Sequence, residues 1–231
     1  ADSKGCSSVI MFLDCHYIVI KGLTVTHEGE NDIMGFRFWS KPSDHVALEG
    51  CTIKNLKSNG FGGSANGKHI IVNKCIFSNL PLGIYWGYYE DEHRKIYFDS
   101  CKIINSLFID CPKTDSAETG YGIQIKGGSF DNLIQDNVFY NVSGSTRAAI
   151  GVYHISKLDK NKTLEKRDAP NIIRGNFIYN CRGEGIYACE GAIIENNILV
   201  NCKSSGIATY RRKSDWGSFY GNLIVRNNTI F

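Results

Sequence analysis

The chain has 231 residues, with 26 lysines and arginines against 23 aspartates and glutamates, for a formal net charge of +3. That length suits one domain with a sizeable core. The near-neutral balance gives no reason to expect a nucleic-acid partner, and no apolar stretch is long enough to span a bilayer.

Read from the N-terminus, short β-branched runs alternate with tight polar turns, and the pattern recurs eight times. The first strands of the units are expected at 18–20, 46–48, 70–72, 96–98, 133–135, 172–174, 193–195 and 223–225, with successive starts 28, 24, 26, 37, 39, 21 and 30 residues apart. A repeat of this length, strand-based and without helical periodicity, predicts a solenoid. The sixth unit is the cleanest. Ile172, Ile173 and Arg174 lead to Gly175-Asn176, Phe177, Ile178 and Tyr179 lead to Asn180-Cys181, and residues 185–189 close the unit. Strands this short bury a core only when coil stacks on coil, which predicts three parallel sheets around one apolar column.

Two columns set the register. The first turn is read as ending on Gly22, Cys51, Cys75, Cys101, Asn137, Asn176, Asn197 and Asn228. The second strand is read as ending on Thr26, Asn55, Asn79, Asn105, Asn141, Asn180 and Asn201. Asparagine suits both places because it tolerates turn geometry and its amide bonds along a stack.

With these turns, the chain resembles the right-handed parallel β-helix proteins of the pectate-lyase-like superfamily, over nearly its whole length from about Val9 to Phe231. The phrase Gly122-Ile123-Gln124-Ile125-Lys126-Gly127-Gly128-Ser129 is similar to one in bacterial β-helix proteins. The resemblance implies an all-β fold of about seven or eight coils, with the substrate cleft floored by the Gly-Ile strand of each unit. It also implies a bacterial extracellular or cell-surface protein acting on a polysaccharide, without membrane insertion. The chain lacks the calcium-aspartate signature of pectate lyases, the paired-aspartate and Gly-His-Gly motifs of polygalacturonases and the Asp-Pro-His motif of alginate epimerases. A single monomeric β-helix domain over 1–231 is expected, without caps at either end and so an excerpt of a longer chain.

The chain has nine cysteines, and five of them are read onto repeat positions. Cys51, Cys75 and Cys101 are read into the first turn column, and Cys181 and Cys202 into the place held by Leu56, Leu80 and Val142. Such positions suit small buried free thiols rather than disulfides.

Alternation along the floor strand turns Phe36, Phe61, Ile84, Ile123, Ile150, Ile186 and Ile207 inward. Two outward columns remain, Arg37, Gly62, Tyr85, Gln124, Gly151, Tyr187 and Ala208, then Trp39, Ser64, Gly87, Lys126, Tyr153, Cys189 and Tyr210. Aromatic faces stack on sugars, and cations attract anionic ligands. This predicts an acidic, uronate-containing glycan held by Arg37, Trp39, Tyr85, Gln124, Tyr187, Tyr210, Arg211, Arg212 and Trp216.

Three activities remain open. A polysaccharide lyase needs a base for the C5 proton and a cation on the carboxylate; the candidates are Lys126, Tyr153, Arg147 and His154, with Gly87 and Gly151 leaving room for the substrate. A glycoside hydrolase needs two carboxyl groups at a set spacing, for which Glu184, Glu190, Asp115 and Glu118 are available. A non-catalytic binding solenoid needs neither. No cofactor is required; calcium is a possible ligand of Glu90, Asp91, Glu92 and Asp131.

Overall fold

A three-residue strand such as Ile76–Ser78 points one side chain, Phe77, inward. Phe77 lies flat on Phe108 with ring centroids 4.8 Å apart, and Phe108 lies on Phe139 at the same 4.8 Å. That distance is the spacing of neighbouring strands, so like side chains stack along the axis. The computed structural model describes residues 7–29, 31–89, 95–112, 120–126, 129–143, 147–153, 169–188, 191–209 and 223–231. Among them it holds three long sheets, of eight, eight and ten strands, whose neighbouring strands pair in parallel. A short antiparallel ribbon, Tyr88–Tyr89 with Lys95–Ile96, branches from the fourth coil. One continuous core of buried Phe, Ile, Leu, Val and Cys runs the length of the solenoid. The all-β parallel β-helix expected from the repeat is the observed fold.

The first sheet, the floor, stacks Ser8–Phe12, Met34–Phe38, Asn59–Gly63, Leu82–Trp86, Tyr121–Ile125, Ile150–Val152, Ile186–Ala188 and Ile207–Ala208. In the ten-stranded sheet the register runs Ile20, Leu48, Val72, Ile103, Ile134, Ile173, Ile194, Val225. The coils are therefore 28, 24, 31, 31, 39, 21 and 31 residues long. The fourth first strand is thus Lys102–Ile104, not 96–98. The apolar run at 96–98 misleads because Phe98 is a core residue that arrives by another route. Its two-residue strand pairs with Gly67–Lys68, and its ring lies on Trp86 at 5.0 Å. A Cβ at Gly63 would come within 2.3 Å of that ring.

The corrected register moves four turn residues. The first column is Leu23, Cys51, Cys75, Ser106, Asn137, Asn176, Asn197 and Asn228, so Gly22 and Cys101 leave it. Asn137, Asn176, Asn197 and Asn228 form a ladder, each Nδ2 donating to the next Oδ1 at 2.9–3.0 Å. Each of those oxygens also accepts the backbone N–H of the coil below. The residue before each ladder position is left-handed, from Gly22 at φ 64° to Asn227 at φ 53°. The second column is Asn55, Asn79, Asp110, Asn141, Asn180 and Asn201, all left-handed. Asp110 replaces Asn105, and Thr26 belongs to the strand before it. Asn105 instead turns the first corner, bonding Asn73 at 3.2 Å.

Cys111, Val142, Cys181 and Cys202 share one column, as the repeat predicts for the last three. Cys101 lies across from Ile70 and Asn132 at the opposite corner of the coil. All seven described cysteines are free. Burial pushes the thiols of Cys101 and Cys111 up to about 12 and that of Cys75 up to about 11.

Candidate functional site

The inward set Phe36, Phe61, Ile84, Ile123, Ile150, Ile186 and Ile207 lies in one register line, and the outward line beside it is Arg37, Gly62, Tyr85, Gln124, Gly151, Tyr187 and Ala208. Simple alternation stops at the start of each floor strand. A Cβ on Gly60, Gly83 or Gly122 would strike the buried rings of Phe77, Phe108 or Phe139 at 2.6–2.8 Å. The backbone at this corner therefore faces the core, and the residue just before it is thrown outward although its parity reads inward. Ser8, Met34, Asn59, Leu82, Tyr121, Ala148, Glu184 and Ser205 thus make a third column beside these two. Tyr121 is the member that sequence parity conceals.

Tyr121 and Tyr153 bring their hydroxyls together at 2.6 Å. Arg147 Nη1 donates to Tyr121 Oη at 3.2 Å, and its guanidinium sits 5.6 Å from that ring's centroid. Tyr153 leans on Tyr187 at 4.8 Å, and Tyr187, Ala148 and Ala208 form a small apolar cluster on the outer face. The pair closes over Gly151, where a Cβ would meet Tyr153 Cε2 at 2.6 Å and Tyr121 Cε1 at 3.1 Å. Gly151 therefore makes room for the two rings and not, as expected, for a substrate. Gly87 also leaves no gap. It has φ 82°, and a Cβ there would lie 2.1 Å from the Lys126 carbonyl oxygen.

Lys126 and Tyr153 do stand in one column on adjacent coils, since Tyr153 N–H bonds Ile125 O at 2.8 Å and Lys126 N–H bonds Trp86 O at 2.7 Å. Their side chains part. Lys126 Nζ reaches back to Tyr85 Oη at 3.4 Å and sits 5.0 Å from its ring centroid. Between them Gln124 is 1% exposed, and its Oε1 has no hydrogen-bond partner among the described residues. Farther toward the N-terminus, Arg37 stacks on Trp39 at 3.8 Å and donates to Ser64 Oγ at 3.0 Å. Burial pulls the Arg37 guanidinium below its ordinary value. Among the described residues, Glu184 is the one carboxylate in the three outward columns, and it is buried.

His154, Tyr210, Arg211, Arg212, Trp216, Glu90, Asp91, Glu92, Asp115, Glu118, Cys189 and Glu190 lie outside the described residues. Asp131 turns a corner with φ 57° and accepts from Ser100 Oγ at 2.7 Å. Among the described residues no group of three or more His, Cys, Asp or Glu is arranged to hold a metal.

Comparison with known proteins gives a fold. No curated protein matches the chain. A solved structure, the GH136 lacto-N-biosidase from Eubacterium ramulus in its selenomethionine derivative, is 13% identical with a TM-score of 0.42. The match covers 96% of this chain and 50% of that one, so the chain spans about half that protein's length. A likeness at this level says nothing about activity. The family model for the right handed beta helix region matches residues 83–231. With the parallel three-sheet register on either side of that boundary, the chain belongs to the right-handed β-helix family.

Proposed function

We propose that the floor sheet is the cleft of a carbohydrate-active protein, and that it cleaves an acidic, uronate-containing polysaccharide by β-elimination. The observation that carries this reading is the cluster of Tyr153, Tyr121 and Arg147 beside Lys126, on a floor whose described carboxylates number one. Elimination needs a proton acceptor and positive charge on the uronate; it does not need the two spaced carboxyls of a hydrolase. A glycan laid along the axis meets a new coil about every 4.8 Å. From Arg37 and Trp39 it runs past Tyr85 and Lys126 to Tyr153 and Tyr187. The buried Gln124 Oε1, unpartnered among the described residues, is the kind of group a substrate hydroxyl satisfies.

In this reading Tyr153, ionised, takes the C5 proton. The C5–H electron pair becomes the C4=C5 double bond, the C4–O bond breaks, and the departing oxygen leaves with the proton that Tyr153 accepted. Lys126 and Arg147 offset the carboxylate charge as acidity develops at C5. The test is ultraviolet absorbance of an unsaturated uronate product across a panel of acidic polysaccharides. Product on a uronate polymer supports the reading. Reducing sugar released without that absorbance replaces it with hydrolysis, and binding without either replaces it with a binding solenoid.

A further inference from the structure

The floor holds one contact for which binding alone gives no reason. Tyr121 is fully buried, yet its hydroxyl is turned to the outer face, into a bond with Tyr153 and under Arg147. Guanidinium groups only donate. Arg147 Nη1 therefore donates to Tyr121 Oη, and once Tyr153 is ionised its 2.6 Å contact has Tyr121 as the donor. The rings cross at 83° with centroids 6.1 Å apart. This edge-on meeting brings the two oxygens together without stacking the faces. Gly151 has no side chain to hold them apart. Among the described residues, the titratable side chains packed on Tyr153 are Tyr121 and Tyr187, with Arg147 behind Tyr121, while the Lys126 ammonium in the same column turns to Tyr85.

We propose that Tyr121 is a positioning residue that passes the positive charge of Arg147 to Tyr153, so that Tyr153 ionises ahead of the other tyrosines. Once Tyr153 gives up its proton, its oxygen accepts the Tyr121 hydroxyl at short range, a charge-assisted bond about twice as strong as a neutral one. The Tyr121 oxygen stays held by Arg147. No oxidant or co-reactant enters; the only event is one proton leaving for solvent and later returning. The use made of the phenolate rests on the elimination reading, whereas the relay itself does not.

The experiment separates the two. Phenolate absorbance is titrated by difference spectroscopy in wild type, Tyr153→Phe, Tyr121→Phe and Arg147→Gln, with thermal melts as a control for folding. Wild type is expected to show one tyrosine ionising below the rest. Tyr153→Phe should delete that component. Tyr121→Phe and Arg147→Gln should each move it up by roughly one to three pH units, the size expected when a neighbouring cation is lost. Should Tyr121→Phe fail to fold, Arg147→Gln, at the edge of the cluster, carries the test alone. A wild-type titration without an early phenolate overturns the proposal, as does an early phenolate that neither variant shifts. If the early phenolate is present and shifts as expected but no polysaccharide yields unsaturated product, the relay stands and the lyase reading falls.

Discussion

At Gly151 a single methyl group decides whether the tyrosine pair survives. Gly151→Ala would place a carbon 2.6 Å from Tyr153 and 3.1 Å from Tyr121. The rings must separate, at about 1–3 kcal/mol for overpacking. The variant should melt earlier and lose product formation together, as measured by thermal denaturation and the ultraviolet assay. Tyr153→Phe keeps the ring on Tyr187, so its melt should stay near wild type while the rate falls about 100- to 10,000-fold. Lys126→Ala should lose rate in the same range, with little change in stability because Lys126 is half-exposed. A smaller effect is expected at Lys74. It holds a left-handed conformation, φ 53°, in a column that elsewhere uses Gly, Asn and Asp. Lys74→Asn should raise stability by about 0.5 kcal/mol, part of the roughly 1–2 kcal/mol penalty for that conformation.

Among the elements, the inner asparagine ladder and the outer one look alike in sequence and differ in consequence. Asn176 accepts the backbone N–H and side-chain amide of Asn137, and donates to Ile134 O and Asn197 Oδ1, all in the interior. Asn176→Ala leaves the Asn137 N–H buried without a partner, at about 1–3 kcal/mol beyond the lost bonds. Asn79 bonds only along the exposed ladder, to Asn55 at 3.1 Å, and Asn79→Ala should cost about 1 kcal/mol or less. Urea denaturation of the two variants checks the contrast. The stacked thiols add a second measurement. Cys75, Cys101 and Cys111 should resist a thiol reagent until the coil unfolds, since burial keeps them protonated far above neutral pH. The β-branched runs and turn asparagines made the strands legible. The fourth unit was not, because a two-residue strand carrying Phe98 has no periodicity of its own.

At the scale of the whole molecule, the described residues gather a charged patch on the early coils. Asp44 bridges His16 at 3.0 Å and His45 at 2.8 Å, while Asp14 lies 3.5 Å from His16 and 3.2 Å from Lys41. The hydrogen bond to Asp44 raises His16 above its ordinary 6.5. That contribution is complete below 6.5 and disappears as pH climbs through the raised value. The bond to Lys41 lowers Asp14, and the bonds to His45 and His16 lower Asp44, below their ordinary 3.8. Those contributions hold above 3.8 and fade as pH falls through the lowered values. The early coils should therefore be tightest between these limits. Amide protection factors there, corrected for the base-catalysed intrinsic rate, are expected to be higher at about pH 5.5 than at about pH 8.5, and the difference should shrink with added salt, because these groups are exposed.

The solenoid, its parallel sheets and both original floor columns could be read from residues alone, because inward and outward positions alternate within a strand and the turn residues repeat. So could the candidacy of Lys126, Tyr153 and Gln124, as polar groups in those columns, and of Arg147, as the cation just before a floor strand. Tyr121 could not. Its parity assigns it to the core, and only the corner at Gly122, pressed against Phe139 on another sheet, turns it outward. Nor do Gly87 and Gly151 reveal from sequence whether an absent side chain leaves space for a ligand or is replaced at once by a neighbour. Local pattern sets which way a strand faces. Which hydroxyls meet depends on the packing of coils 21 to 39 residues apart in the chain, and that information exists only once the coils are stacked.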